Sequence, residues 1–485
     1  MKRKERWAEV DIAHLSPKSG NGIGKAVLES GHVTEAEVAF AIPGDLIRAR
    51  ITSKKRGRYQ TDKQEVLRPS PDRVPARCPH FSSCGGCRWQ YLSYEKQLQE
   101  KEQIVKQAFH QQLTEEVVFH PIIACDSPWA YRNKMEFSFH NNLAGDQFLG
   151  LMLSGSRGKV LQLQECHLVE SWMVDGVKAT REWWKASGLN AFHHPSERGS
   201  LRNLTFRQGT RTGDRMAILN VSGNPEYALS KQQLQTFTGA LKAAITPNSS
   251  DAKLSIFLKI QQAIKGQATQ FYEMLLFGPD HIREELYIEQ AGERYCLQFC
   301  VSPQAFFQPN SRQAEKLYSR ALQLAQVPAN GLVYDLYCGT GTLAICAAKY
   351  ARQVIGIELS PESSLDARTN AKLNGFENVT IITGDAGVHL AALQNGSAKP
   401  DLVMVDPPRA GLDHAAITHL LALQAPVLLY ISCNPLSQAE NIQELCNGGY
   451  TLKCLQPLDQ CPHTPHIENI AVLHWQAKES SCVLL

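Results

Sequence analysis

The last third of the sequence alternates short apolar segments with helical patterns, and this alternation constrains the fold more than any other feature. Segments such as Leu332–Asp335, Val354–Glu358 and Leu402–Val405 have the length and composition of buried parallel strands. One helix between them is expected to begin at Ser360-Pro361 and to end at Gly375. Strands that alternate with helices form a doubly wound sheet. The pattern therefore predicts an α/β C-terminal domain.

Two polar motifs follow strands of this predicted sheet. Asp406-Pro407-Pro408-Arg409 comes directly after Leu402–Val405, and Ser432-Cys433-Asn434-Pro435 comes directly after the apolar run 427–431. Parallel strands present their carboxyl ends at one edge, which is where ligands bind in open α/β sheets. The sequence therefore predicts a site at this edge that combines the Asp406 carboxylate with the Cys433 thiol.

A glycine-rich turn follows the first strand of the same domain. The segment 335–342 contains Gly339 and Gly341, which allow a ligand to approach the backbone closely. Glu358 ends the next strand and is suited to accept hydrogen bonds from ribose hydroxyls. With Ala344, the two glycines also satisfy the dinucleotide fingerprint, so NAD is the alternative ligand. Because hydride transfer does not require the Asp406 and Cys433 motifs, S-adenosylmethionine is the preferred ligand.

The N-terminal region indicates a different kind of module. Residues 7–68 alternate polar and apolar side chains between frequent glycines, which is typical of a small β-barrel. Residues 46–77 carry 10 basic and 3 acidic side chains, and Tyr59 lies among them. Such a surface can hold a phosphate backbone while an aromatic ring stacks on a base, although a solvated charged face is an equally good interpretation. A proline-rich linker, residues 69–75, follows the barrel.

Three cysteines cluster just after this linker. Cys78, Cys84 and Cys87 lie on a short loop with two glycines, which favours a bound metal ion or metal cluster. A fourth ligand is required, and Cys125 and Cys166 are both candidates on spacing alone. Zinc and an iron–sulfur cluster both accept four thiolates.

The rest of the chain carries weaker signals. Residues 94–112 are expected to form a helix rich in Lys, Gln and Glu, and the region from 131 to about 288 is expected to be mainly β. The segment 170–250 is interpreted as an insertion that adjusts RNA contacts. No apolar run is long enough to span a bilayer, and no signal peptide is recognised, so the expected location is the cytoplasm. No obligate protein partner is evident.

Taken together, these motifs resemble the uracil-5 RNA methyltransferase family. Residues 7–68 resemble its TRAM module, and 41–45 match a motif of that module. The three clustered cysteines match the family's iron–sulfur motif, and the segment 165–168 matches its fourth ligand. The resemblance thus implies Cys166 rather than Cys125, and a 4Fe-4S cluster rather than zinc. It also implies the cofactor-binding positions Gln308, Tyr337, Glu358 and Asp406, the nucleophile Cys433 and the general base Glu468.

The resemblance implies a C-terminal Rossmann-like class I methyltransferase domain (296–485), a barrel domain (1–70) and a β-rich central domain with the cluster (71–295). The expected reaction is methyl transfer from S-adenosylmethionine to carbon 5 of a uridine in structured RNA, through a covalent adduct with Cys433. Because family members with both the barrel and the cluster mostly modify the large ribosomal subunit, 23S rRNA is favoured over tRNA.

Several alternatives accompany this interpretation. An amino-group methyltransferase would carry an aromatic residue where Arg409 stands, and a non-catalytic RNA-binding protein would not need Cys433. The side chains of His463, His466 and Glu468 form a pattern that also occurs in metal sites.

Overall fold

The structure is a computed structural model, and it describes residues 5–156, 158–263, 266–267, 269–394 and 399–476. Its N-terminal part is a closed barrel in the order β1-β2-β3-β5-β4. The strands are β1 (Arg6–Leu15), β2 (Gly22–Leu28), β3 (Val33–Val38), β4 (Leu46–Lys55) and β5 (Arg58–Arg68). A side chain at Gly24 would place its Cβ 1.9 Å from the Asp11 carbonyl oxygen, so the β1–β2 crossing requires glycine there. The expected small barrel is confirmed.

The C-terminal part is built on an eight-stranded sheet in the order β17-β16-β15-β18-β19-β21-β20-β6. Its strands are β6 (Val118–Phe119), β15 (Leu332–Leu336), β16 (Gln353–Glu358), β17 (Val379–Thr383), β18 (Leu402–Val405), β19 (Val427–Ser432), β20 (Tyr450–Leu458) and β21 (Glu468–Trp475). Strands β15 to β19 are parallel, and β21 inserts antiparallel between β19 and β20. The expected doubly wound α/β fold is confirmed.

Helices cover both faces of this sheet. They are α4 (Ser311–Ala325), α5 (Thr342–Ala348), α6 (Pro361–Leu373), α7 (Ala386–Gln394), α8 (His414–Leu423) and α9 (Pro435–Gly448). The strands β15 and β18 are therefore buried along their entire length, as their apolar runs predict. Helix α6 begins as expected at Ser360, whose side chain accepts a hydrogen bond from the Ser363 amide, and Gly375 follows it in a left-handed conformation.

The middle of the chain forms a six-stranded sheet in the order β12-β11-β10-β9-β7-β8. Its strands are β7 (Lys134–Asn141), β8 (Gln147–Gly150), β9 (Leu201–Gln208), β10 (Arg215–Ser222), β11 (Leu254–Gln262) and β12 (Gln270–Phe277). Helices α2 (Ser171–Ser187) and α3 (Lys231–Ile245) pack on one face, where Trp184 is fully buried.

The interpretation of residues 170–250 as an insertion is wrong. This segment contributes α2, α3 and two of the four interior strands, β9 and β10, so the central sheet is incomplete without it. The adjacent tryptophans Trp183 and Trp184 pack in the hydrophobic core rather than on the surface.

Three pieces of the middle region pack against the C-terminal part. Helix α1 (Tyr94–Ala108) contacts α9 and β20, and β6 extends the eight-stranded sheet beside β20. The hairpin β13 (Ile282–Gln290) and β14 (Glu293–Val301) packs on α4 and α6. No helix of the described ranges is long and apolar enough to cross a membrane.

Candidate active site

Neighbouring strands bring Asp406, Cys433 and Glu468 to one edge of the sheet. Asp406 follows β18 and Cys433 follows β19, while Glu468 is the first residue of the antiparallel strand β21. Ser432 pairs with Asn469 in the β19–β21 ladder, so the next residue of β19 meets the previous residue of β21. The strand register therefore places Cys433 beside Glu468, although 35 positions separate them in the sequence.

The Cys433 thiol lies in a half-buried environment that disfavours its charged form. Burial, and after it the neighbouring Glu468 carboxylate, raise the pKa of Cys433 to about 11. The Arg409 guanidinium opposes this rise through its positive charge and through a hydrogen bond to the sulfur. Arg409 is therefore a positive charge beside the sulfur that favours the thiolate form. Sequence reasoning noted Arg409 only as the residue standing in place of an aromatic side chain.

Two carboxyl groups adjoin the thiol: Glu468 is buried and Asp406 is half-buried. Burial and then the Asp406 charge raise the pKa of Glu468 well above its usual range, while Arg409 opposes the rise. Burial raises the pKa of Asp406 to about 7. His466 also faces Arg409, and burial followed by the Arg409 charge lowers the pKa of its imidazole to about 4. The shifts of Glu468 and His466 both favour the uncharged form of the side chain in the free protein.

The glycine-rich turn after β15 leaves room for a ligand. Tyr337 and Gly339 both have positive φ angles, of 64° and 55°. A Cβ built on Gly339 would meet no atom within 4 Å, so this glycine faces open space. A Cβ on Gly341 would lie 2.9 Å from the Cβ of Ala367, so that glycine instead permits close packing of α6.

Glu358 supports this turn from the end of β16. One of its carboxylate oxygens accepts a hydrogen bond from the Gly339 amide at 2.9 Å, and the other accepts from the Ser360 amide at 2.8 Å. Asp335, at which the turn begins, is buried with one oxygen that has no hydrogen-bond partner, and burial followed by the Asp406 charge raises its pKa well above the usual range. Sequence reasoning did not select Asp335 as a site residue.

Gln308 lies between the central and C-terminal parts of the protein. Its side-chain oxygen accepts a hydrogen bond from Gln460 at 3.2 Å, and its backbone carbonyl accepts one from Asn133 at 2.8 Å. Of the adjacent aromatic residues, Phe307 packs in the core, whereas the Phe306 ring is 63% exposed. The Phe306 carbonyl accepts a hydrogen bond from Thr340 at 3.4 Å, which places Phe306 beside the glycine-rich turn.

Four of the five candidate ligand cysteines surround one pocket. Its lining includes Cys78, Cys84, Cys87 and Cys166. Burial is the main cause that raises the pKa of Cys87 to about 12 and of Cys166 to about 11, and each of these thiols also responds to the charge of Cys84. Cys125 lies elsewhere, where its thiol donates a hydrogen bond to the Ser127 carbonyl at 3.2 Å. The structure thus brings Cys166, and not Cys125, to the three clustered cysteines.

Across the described residues, no group of three or more His, Cys, Asp or Glu side chains is arranged to hold a metal ion. This finding gives no support to the alternative in which His463, His466 and Glu468 bind a cation. His463 instead stacks on Trp129 at 3.8 Å between ring centres. The iron–sulfur cluster stays a prediction.

Comparisons with known proteins identify the relatives of this chain. A family model described as tRNA (Uracil-5-)-methyltransferase matches residues 252–476. The chain is 55% identical to an uncharacterized RNA methyltransferase of Protochlamydia amoebophila over 90% of this chain and 99% of that protein. It is 35% identical to one of Chlamydia pneumoniae over 82% of this chain and 97% of that protein.

Among solved structures, the fold is similar to that of a Pyrococcus abyssi tRNA (uracil-54, C5)-methyltransferase in complex with S-adenosyl-L-homocysteine. The TM-score is 0.69 at 23% identity, and the match covers 96% of this chain and 100% of that one. The matches to the RNA methyltransferases cover most of both chains at 35–55% identity, and together with the family model they establish family membership. The chain therefore belongs to the uracil-5 RNA methyltransferase family and is an enzyme that methylates RNA.

Proposed function

We propose that this enzyme transfers a methyl group from S-adenosylmethionine to carbon 5 of a uridine in structured RNA, through a covalent bond between Cys433 and the uracil ring. The observation that carries the proposal is the adjacency of Cys433 and Glu468 at the ends of paired strands, with Arg409 against the sulfur. Uracil carbon 5 is a weak nucleophile, and addition of a thiolate to carbon 6 activates it.

The residues at the sheet edge suit the methyl donor. The open space in front of Gly339 admits a ligand against the backbone, and the Glu358 carboxylate retains acceptor capacity toward ribose hydroxyls. We assign Gln308, Tyr337, Glu358 and Asp406 to this subsite. Bound S-adenosylmethionine supplies the electrophilic methyl group. Its positive charge favours the ionised forms of Asp406 and Glu468, whose pKa values are raised by burial in the free protein.

The proposed reaction begins and ends at the Cys433 sulfur. The Cys433 thiolate forms a bond to carbon 6, and the electron pair of the 5,6 double bond moves toward the oxygen on carbon 4. Carbon 5 then forms a bond to the methyl carbon of S-adenosylmethionine, and the bond from that carbon to the sulfonium sulfur breaks with its electrons staying on S-adenosylhomocysteine, which leaves. The Glu468 carboxylate removes the remaining proton from carbon 5, the 5,6 double bond re-forms, and the bond to sulfur breaks with its electrons returning to Cys433. The positive charge of Arg409 favours the thiolate at the start and at the end.

The favoured RNA is 23S rRNA, and tRNA is the alternative. The barrel supports an RNA partner, because Arg6 and Lys54 lie 5.8 and 5.5 Å from the centre of the Tyr59 ring and Arg48 lies 5.5 Å from that of Trp7. Cation–aromatic pairs of this kind contact both phosphates and bases. A uridine in folded RNA must leave its stack to reach Cys433, and the exposed Phe306 ring is a candidate for stacking during this movement.

We further propose that Cys78, Cys84, Cys87 and Cys166 hold a 4Fe-4S cluster. Support comes from the shared pocket and from the chemistry of four thiols, which matches the ligand set of such a cluster. The cluster would supply a covalent cross-link between the cysteine loop and residue 166.

The cysteines that the structure describes form no disulfides, which supports a reducing compartment such as the cytoplasm.

The domain division follows the expected one with a change at the second boundary. We propose a barrel domain over residues 1–70 and a central domain that follows it from residue 71. The expected start of the methyltransferase domain at residue 296 falls inside β14, whose hairpin packs on α4. The hairpin is therefore better assigned to the methyltransferase domain.

The proposal is tested with RNA containing 5-fluorouridine, which carries fluorine in place of the hydrogen at carbon 5. The Glu468 carboxylate then has no proton to remove, and the covalent complex accumulates. Transcripts of large-subunit ribosomal RNA and of tRNA are each incubated with the enzyme and S-adenosylmethionine. A denaturation-stable complex with the ribosomal transcript is expected, and it should be absent for Cys433→Ala and present for Cys446→Ala, which alters a half-buried cysteine of α9. Complex formation with tRNA alone would assign the substrate to tRNA, and persistence in Cys433→Ala would overturn the covalent mechanism.

A further inference from the structure

One buried side chain links the segment after Cys87 to the loop that precedes Glu468, residues 459–467. Gln97 lies on α1 and is fully buried. Its side-chain nitrogen donates to the carbonyl oxygens of Trp89 and Leu92, at 3.1 and 2.9 Å, just beyond Cys87. The same amide group reaches His463, whose backbone amide donates to the Gln97 oxygen at 2.9 Å. A single amide thus hydrogen-bonds to both segments.

The two segments also bond to each other directly. The backbone amides of Arg88 and Trp89 donate to the His463 carbonyl oxygen at 2.9 and 3.1 Å. The His463 ring nitrogen Nδ1 lies 3.2 Å from the Gln97 side-chain nitrogen, and the ring stacks on Trp129. His463 therefore contacts the cysteine side of the protein through its amide, its carbonyl and its ring.

His463 needs this support because its backbone is strained. Its φ angle is 63°, in the left-handed region that residues with a Cβ rarely adopt. Further bonds fix the same loop, since the Tyr131 hydroxyl donates to the Pro462 carbonyl at 3.1 Å and Lys101 donates to that of Cys461 at 3.1 Å. The loop leads directly into Glu468, so this loop and the pairing of β21 with β19 and β20 together position the Glu468 backbone.

We infer that Gln97 is a positioning residue for Glu468, because its hydrogen bonds hold the loop that precedes Glu468 against the segment after Cys87. This inference rests on the proposed function, in which Glu468 removes the proton from carbon 5. Cys433 is on a different strand and Gln97 makes no hydrogen bond to it. Loss of the Gln97 bonds should therefore slow proton removal, which ends the reaction, and leave the formation of the covalent adduct intact.

The test separates the two steps in the full-length enzyme. Gln97→Met keeps the length of the side chain and removes its hydrogen bonds, and His463→Ala removes one acceptor while leaving the backbone bonds. Adduct formation is timed with 5-fluorouridine RNA and adduct decay with unmodified RNA, both in a single turnover. The matched control is Asn378→Leu, because Asn378 also bonds two backbone carbonyls, those of Ala348 and Ala351, but on the far side of the methyltransferase domain.

Adduct decay should slow by about tenfold or more in Gln97→Met, which is part of the roughly 10²–10⁴-fold that a positioned base contributes. It should slow by a smaller factor in His463→Ala, which loses the ring contact and keeps the backbone bonds. Formation should stay within about twofold of the wild type, and Asn378→Leu should match the wild type in both steps. Unchanged decay in His463→Ala and Gln97→Met would overturn the inference, as would an equal loss in both steps. A wild-type enzyme that forms no adduct with 5-fluorouridine RNA would instead refute the proposed function.

Discussion

The clearest quantitative prediction concerns Arg409→Gln, which removes the positive charge beside Cys433. The Cys433 pKa of about 11 already includes the favourable effect of Arg409. A hydrogen bond to a charged group contributes about 1.5–3 kcal/mol, and because Arg409 is exposed, screening by water puts its effect near the lower end. About 1.4 kcal/mol corresponds to one pKa unit. The substitution should therefore raise the thiol pKa by about one unit and reduce the thiolate fraction about tenfold.

The assay is single-turnover adduct formation with 5-fluorouridine RNA between pH 6 and 9. Below its pKa a thiol gains about tenfold in thiolate for each pH unit, so the wild-type rate should rise by about that factor per unit. The rate of adduct formation by Arg409→Gln should rise with pH as steeply as that of the wild type and be about tenfold lower at each pH. Arg409→Lys should recover part of the loss because it keeps the charge. A rate for Arg409→Gln equal to the wild type at every pH would refute the role assigned to this guanidinium.

Three further predictions concern the cofactor subsite and the cysteine pocket. Gly339→Val should abolish S-adenosylmethionine binding in calorimetry because its side chain occupies the open space, whereas Gly375→Val, which introduces a similar left-handed strain of about 1–2 kcal/mol elsewhere, should retain it. Cys84→Ser should remove bound iron and its visible absorbance, and Cys125→Ser should not; equal iron in both variants would contradict the cluster assignment. Asp406→Asn should raise the free energy of unfolding by about 1–4 kcal/mol at pH 8 in urea titrations. Burial raises the folded-state pKa of Asp406 from 3.8 to about 7, so the unfolded wild type ionises more readily than the folded one and the wild type loses stability as the pH rises through this interval. The stability advantage of Asp406→Asn should therefore be absent near pH 4.

The edge of the catalytic sheet was predictable because its determinants are local. Apolar runs such as Leu402–Val405 are buried on both faces, and a polar residue directly after such a run must lie at the carboxyl edge. The strand register then brings Cys433 and Glu468 together, which no spacing in the sequence indicates.

Other features depend on contacts between distant segments and left little trace in the sequence. Helix α1 has the composition of a surface helix, yet Gln97 and Lys101 are fully buried in it and bond to His463 and Asp459. These partners lie more than 350 positions away, so the sequence around α1 does not indicate the burial. The segment 170–250 carries no recognisable motif, and its place in the central sheet depends on pairing with β7 and β11.

The central claim is that sulfur of Cys433 bonds to the uracil ring that receives the methyl group. The most direct measurement uses Glu468→Gln, which cannot remove the proton from carbon 5, with unmodified RNA and S-adenosylmethionine. Digestion with nuclease and protease, followed by mass spectrometry, should show the peptide containing Cys433 with a methylated uridine nucleotide attached. An unmodified Cys433 peptide, together with a methyl group on a sugar oxygen or an exocyclic amine of the RNA, would contradict the account.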